Sequence, residues 1–170
     1  MTGALARNRK GRDGEEGSAI LELAVVLPVL LTIALGVFEF GRLIYSYHLI
    51  QNGVRDGARY VAGLTYDAGN ATLLSNNLTA AQNIAARGVV SGGSNRVSWW
   101  APSTVSVGYA NVANGPTSCG TTRCYRGGDN IVVVTVSTSV AYVPLGFLGF
   151  LGLGDITLAT SHQERLFGVR

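Results

Sequence analysis

The chain has 170 residues, 47% of them hydrophobic and only 14% charged, with 13 Lys and Arg against 10 Asp and Glu. That length suits one compact domain with extra segments, and a charged fraction well below the roughly 25% of soluble proteins implies that part of the chain avoids water. Apart from the cations Arg7, Arg9, Lys10 and Arg12 and the anions Asp13, Glu15 and Glu16 near the N-terminus, nine cations and seven anions remain, too balanced for the basic surface that nucleic-acid binding needs.

Residues 1–17 read as a charged cytoplasmic leader. From Ser18 to Phe38 follow 21 residues with one charge, Glu22. A membrane-spanning helix needs about 20 mainly apolar residues, so the length fits. Pro28 lies inside the run, where membrane helices tolerate it with a bend. Basic residues precede the span and Arg42 is the one cation close behind it, so the positive-inside rule keeps the N-terminus in the cytoplasm and exports the rest.

A cleaved secretory signal is the plainer alternative, and Ala34-Leu35-Gly36 offers the small residues that signal peptidase prefers. Glu22 counts against it, because a simple signal has no use for a charge in its apolar region. The helical pattern also continues: Phe40, Ile44, Tyr47, Val54, Ala58 and Val61 recur at spacings of three and four, with Gln51 filling the gap. A helix from Ser18 to about Ala62 is the expectation.

A carboxylate near the edge of a bilayer costs several kcal/mol unless it finds a partner, so Glu22 is a functional candidate. If the chain is cut after Gly17, Ser18 carries a new α-amino group one helical turn from Glu22. The carboxylate can pair with that amine or with the amine of a neighbouring subunit. The plainer reading is a glutamate whose charge reaches the interface.

Glycine before a cut, with glutamate at the fifth position of an apolar helix, resembles the processing signature of type IV pilin-like proteins. The stretches Glu39-Phe40-Gly41-Arg42-Leu43-Ile44-Tyr45 and Gln51-Asn52-Gly53-Val54-Arg55-Asp56-Gly57-Ala58-Arg59-Tyr60 resemble the TadE-like family, minor pseudopilins of the tight adherence (Tad, or Flp) pilus system. The likeness is dense from Gly17 to Tyr60 and continues as a likeness of layout into the late β-rich region. Such pseudopilins usually carry an aromatic after the glutamate, and here the position is Leu23. The resemblance implies a prepilin peptidase acting between Gly17 and Ser18. It also implies other pilins or pseudopilins, an assembly platform and membrane lipid as partners.

The half of the helix beyond the bilayer must have its apolar stripe covered. Glu39 with Arg42, and Asp56 with Arg59, are three apart and suited to exposed pairs worth a few tenths of a kcal/mol. Gly36, Gly41, Gly53 and Gly57 weaken an isolated helix but let another approach closely.

In residues 63–170, the exported domain, Gly63–Asn77 reads as a loop. Thr79–Val90 reads as a short amphipathic helix capped by Asn77 or Thr79 and burying Ala81, Ile84 and Ala85. Three strands are expected, Ser103–Asn111, Asn130–Val143 and Ile156–Leu166, the second β-branched enough for a central strand. The predicted fold is α+β: a long N-terminal transmembrane helix, then a short helix and a three-stranded antiparallel sheet packed on the helix's exported half.

Cys119 and Cys124 lie in a loop between the first two strands, and in an exported domain a disulfide is the simplest reading. A redox pair favours closer spacing, and zinc needs two further ligands where only His48 and His162 exist. Val143–Gly154 alternates Leu and Phe with Gly, either a loop folded back on the core or an exposed apolar patch for a partner subunit or the membrane surface. No nucleophile and base fall into a catalytic pattern, so neither an enzyme, a small-molecule substrate nor a cofactor is expected. Larger TadG-type relatives use an Asp-x-Ser-x-Ser run for metal; Val134–Ser139 lacks the aspartate, and no metal is expected.

Two functions stand. One is a minor pseudopilin in the cytoplasmic (inner) membrane, processed after Gly17 and taken into a pilus or related secretion machine. The other is an uncleaved, membrane-anchored adhesin or envelope scaffold.

Overall fold

The computed structural model describes residues 12–66, 71–115, 120, 124–125, 130–150, 152 and 156–169. One helix, α1 (Arg12–Ala62), runs unbroken through Pro28 and Gly36. Its 51 residues make a rod of roughly 77 Å at 1.5 Å per residue. The Thr32 hydroxyl donates to the Pro28 carbonyl at 2.8 Å, so the one hydroxyl group between Ala19 and Phe38 is satisfied within the helix.

The two halves of α1 have different surroundings. Residues 17–35 are all exposed. From Glu39 onward a stripe of Glu39, Ser46, Ile50, Val54, Ala58 and Val61 is buried. This differs from the predicted stripe in its first half: Phe40 and Ile44 point outward, 61% and 40% exposed. Glu39 and Ser46 lie inside in their place, because the folded domain covers the adjacent face.

Behind α1 the chain makes a two-residue strand β1 (Thr65–Tyr66) and helix α2 (Ala71–Arg87). The expected loop thus gives way to helix at Ala71, and Asn77 and Thr79 sit inside α2 instead of capping it. Tertiary packing overrides the weak helix preference of Asn and Thr there. Ala81 and Ala85 are fully buried as expected, along with Ala86; Ala80 is buried, and Ile84 is half-buried.

A 3-10 turn (Pro102–Thr104) leads into β2 (Val105–Ala113), and β3 (Asn130–Ala141) and β4 (Thr157–Arg165) complete the sheet. The order is β2-β3-β4, antiparallel throughout, with β3 central as its β-branched run predicts. Alternate residues Val132, Val134, Val136, Thr138 and Val140 turn inward toward α1. Trp100, fully buried, fills the centre of the core, and its indole N–H donates to Thr138 Oγ1 at 3.1 Å.

The chain end returns to the far end of the rod. β5 (Gly168–Val169) pairs in parallel with β1, and the Phe167 N–H donates to the Ala62 carbonyl at 3.0 Å. The helix is therefore held by the domain from Glu39 to its last residue.

Candidate functional site

The expected processing residues lie at the bare end of α1. Gly17 is exposed, with nothing within 4 Å of the place a Cβ would occupy. Ser18 and Glu22 are also exposed, one turn apart, and Glu22 has no partner among the described residues. Ala19, Leu23 and Val26 surround it with apolar surface. A carboxylate so placed in hydrocarbon is costly until a cation reaches it.

By spacing, Glu39 is half of an exposed pair; the structure instead buries it to 2% exposure. It remains near Arg42, 3.8 Å away, but its main partners come from the segment after β3. The Tyr142 hydroxyl donates to Glu39 Oε1 at 2.8 Å, and the Leu145 N–H donates to the same oxygen at 3.1 Å. Arg42 donates to the Val143 carbonyl at 3.0 Å and lies 5.6 Å from the Tyr142 ring centroid. Trp99 packs edge-on against the same ring. Burial raises the Tyr142 pKa above its usual value, and the Glu39 hydrogen bond and negative charge push in the same direction. The cluster ties the rod, just past the apolar span, to a point about a hundred residues away in the chain. Its one sequence signal was that Glu39 and Ser46 continue the spacing of Ile50, Val54, Ala58 and Val61.

The second expected pair also changes partners. Asp56 accepts from Arg96 at 2.6 Å, and Arg59 lies 4.0 Å from Glu164. Both thus link α1 to other elements instead of to each other, since exposed i,i+3 pairing is worth too little to resist tertiary contacts.

Two of the glycines meet a helix of this same chain. A Cβ on Gly53 would overlap the Ala85 carbonyl and come within 2.7 and 2.9 Å of Trp100 ring carbons. One on Gly57 would lie 3.1 Å from the Ala81 carbonyl. These contacts pair later α1 residues with earlier α2 residues, so the helices run antiparallel with backbones in close approach. Gly41, by contrast, faces open space.

Cys119 lies outside the described residues; Cys124 is half-buried and not free, and the pairing of the two remains an expectation. Within segment Val143–Gly154 the described residues divide between core and surface. Leu148, in the one-turn helix α3 (Phe147–Phe150), and Ile156 beyond the segment pack on the core, while Val143 and Leu145 are 48% and 63% exposed. Residues 151 and 153–155 lie outside the described part. On the sheet, a hollow of about 510 Å³ is lined by Ser, Thr and Ala residues of β2, β3 and β4 and by Thr104, with no base or carboxylate among its described walls. Among the described residues no group of three His, Cys, Asp or Glu is placed to hold a metal.

The family model described as TadE-like protein matches residues 17–59, from the glycine before Ser18 to just past the Gly57 contact with α2. No curated protein and no solved structure matches the chain. The matched segment holds the bare apolar length, Glu22, the Glu39–Arg42 cluster and both close-contact glycines. Residues 17–59 of this chain are thus similar to the TadE-like family, and the likeness is to that stretch.

Proposed function

We propose that this protein is a minor pseudopilin, a structural and assembly component of a Tad-type pilus or related secretion machine. The observation that carries the reading is the division of α1: an unbroken helix, bare and apolar in its first half, serves as the spine of a folded domain in its second. A signal meant for removal has no reason to be continuous with a domain's core helix. A helix that must leave lipid and pack among other helices does. Its most apolar 18-residue stretch has a mean hydropathy of 2.6, long and apolar enough to cross a membrane.

In this reading the leader lies in the cytoplasm, the helix spans the cytoplasmic membrane, and the domain past residue 40 is exported. A prepilin peptidase cuts between Gly17 and Ser18. The new α-amino group then meets Glu22 of the same chain or of a neighbouring pilin. A charge-assisted bond between them is strong in a medium of low dielectric constant. Its partners are other pilins or pseudopilins and the assembly platform, with a Cys119–Cys124 disulfide closing a loop of the exported domain.

Sequencing the N-terminus of the protein recovered from membranes and from sheared filaments tests this directly. Ser18 is the expected first residue. Met1 or Thr2 would make the chain an uncleaved anchored adhesin or scaffold, and Val37 a secreted protein.

A further inference from the structure

The outward face of α1 stays apolar beyond the predicted span. Phe38, Phe40, Ile44 and Tyr45 are 66%, 61%, 40% and 65% exposed, and the face turns polar only from His48 through Asn52, Arg55 and Arg59. From Ile20 to Tyr45 this exterior is roughly 38 Å long at 1.5 Å per residue. That exceeds the hydrocarbon core, about 30 Å, and approaches the 40–45 Å of a bilayer with its interfacial layers. Glu39 stands roughly 28 Å from Ile20, at the boundary of the hydrocarbon. The folded domain begins at that level, without a spacer.

Leu145 is held there by its own backbone. Its N–H donates to Glu39 Oε1 at 3.1 Å, and Arg42 fixes the neighbouring Val143 carbonyl at 3.0 Å. Two exposed aliphatic side chains, Val143 and Leu145, are thus held at the level of Glu39. Arg42, 29% exposed, and the half-buried Trp99, packed on the buried Tyr142 ring, are of the residue types that settle at membrane interfaces.

The geometry points to a second membrane contact: the Val143–Leu145 segment is a wedge seated in the outer interfacial layer, held at that depth by Glu39. The occupant of this surface is lipid, because it is continuous with the lipid-facing side of the span and at the height where that side ends. The wedge fixes how the domain stands on the bilayer, which a single helix alone leaves free to rotate and tilt. It also explains why Glu39 is so fully bonded, since a carboxylate at that depth is tolerated only with partners. The inference rests on the reading that residues 18–38 span a membrane.

The test reconstitutes the full chain in phosphatidylcholine vesicles with a nitroxide on Leu145→Cys, subtracting label taken up by the wild type. Collisions with oxygen, which concentrates in lipid, are compared with collisions with a water-soluble nickel chelate. Val29→Cys marks the mid-span and Asn52→Cys the aqueous rod. The oxygen-to-nickel ratio at Leu145 should exceed that at Asn52 several-fold and fall below that at Val29, with Val143→Cys close to Leu145. A Leu145 ratio equal to that at Asn52 overturns the wedge alone. Exclusion of both relaxants with spin–spin broadening also overturns it, placing a second copy on the surface. A Val29 label that behaves like Asn52 overturns the span, and the wedge with it.

Discussion

Replacing Gly53 with Ala tests whether the α1–α2 contact holds the domain together. Alanine is intrinsically the better helix residue by about 1 kcal/mol, so at an uncrowded position the change stabilises. At Gly53 the added methyl runs into the Ala85 carbonyl and the buried Trp100 ring. A backbone carbonyl inside α2 cannot rotate aside, and Trp100 is tethered through its bond to Thr138. Overpacking of this kind costs about 1–3 kcal/mol and sometimes more, and a clash with backbone belongs at the upper end. After the propensity gain, a net loss of about 2 kcal/mol is expected, or about 10 °C in Tm for a domain of this size. The assay is thermal unfolding of the full chain in detergent, followed by near-ultraviolet circular dichroism, which reports the Trp100 environment. Gly41→Ala, where the methyl meets nothing, serves as the control and should unfold no earlier than wild type. A Gly53→Ala protein as stable as the Gly41→Ala protein would refute the close-contact argument.

Gly17→Leu has no neighbour to disturb, so the chain should fold and insert but keep its leader; unchanged electrophoretic mobility relative to wild type would defeat the cleavage claim. Glu22→Gln should leave membrane insertion intact yet lower recovery in sheared filaments, because the amide cannot pair with an α-amine as an ion, and wild-type recovery would exclude that role. Changing Cys119 and Cys124 to Ser should cost about 2 kcal/mol on the chain-entropy estimate, read as greater protease sensitivity, while thiols that react only after membrane permeabilisation would reverse the orientation. The folded Tyr142 holds its proton more tightly than the unfolded chain does. Its contribution is therefore complete below the ordinary tyrosine value of about 10 and is lost as pH rises through the higher folded value. Tyr142→Phe should remove that alkaline loss from a pH series of unfolding midpoints, and an identical slope would sink the assignment.

The layout was legible because each large element carries its own period. β3 alternates along a β-branched run, and the span is long and uniformly apolar. The position of the buried stripe on α1 was harder, for a physical reason. Hydrophobic periodicity reports which side avoids water, not whether lipid or protein covers it. Phe40 and Ile44 carry the apolar spacing yet stand on the outward face, while the polar Glu39 and Ser46 take the inward positions. Only partners distant in the chain, Tyr142 and Leu145, make a buried glutamate affordable. The start of α2 was hidden by Asn and Thr, whose local preferences yield to packing. β5 is two residues long, too short for any period. Of the candidate site, Gly17, Ser18 and Glu22 are readable in the sequence because their spacing is local to one turn of helix, and the Glu39 cluster is not, because its partners are about a hundred residues away.

The way the domain grips α1 decides how it carries mechanical load. Attachment begins at Glu39 and ends where Phe167 bonds Ala62, a length of roughly 35 Å along the rod. The close contact with α2 and the inward side of the sheet lie between those ends. A pull along the helix axis, of the kind needed to draw an apolar helix out of a bilayer, therefore acts on this interface in shear. All of its contacts must slide together before any one is released. A sideways pull on either end peels contacts one after another and needs far less force. The domain and its rod should thus travel as one body when drawn lengthwise and separate most readily when bent.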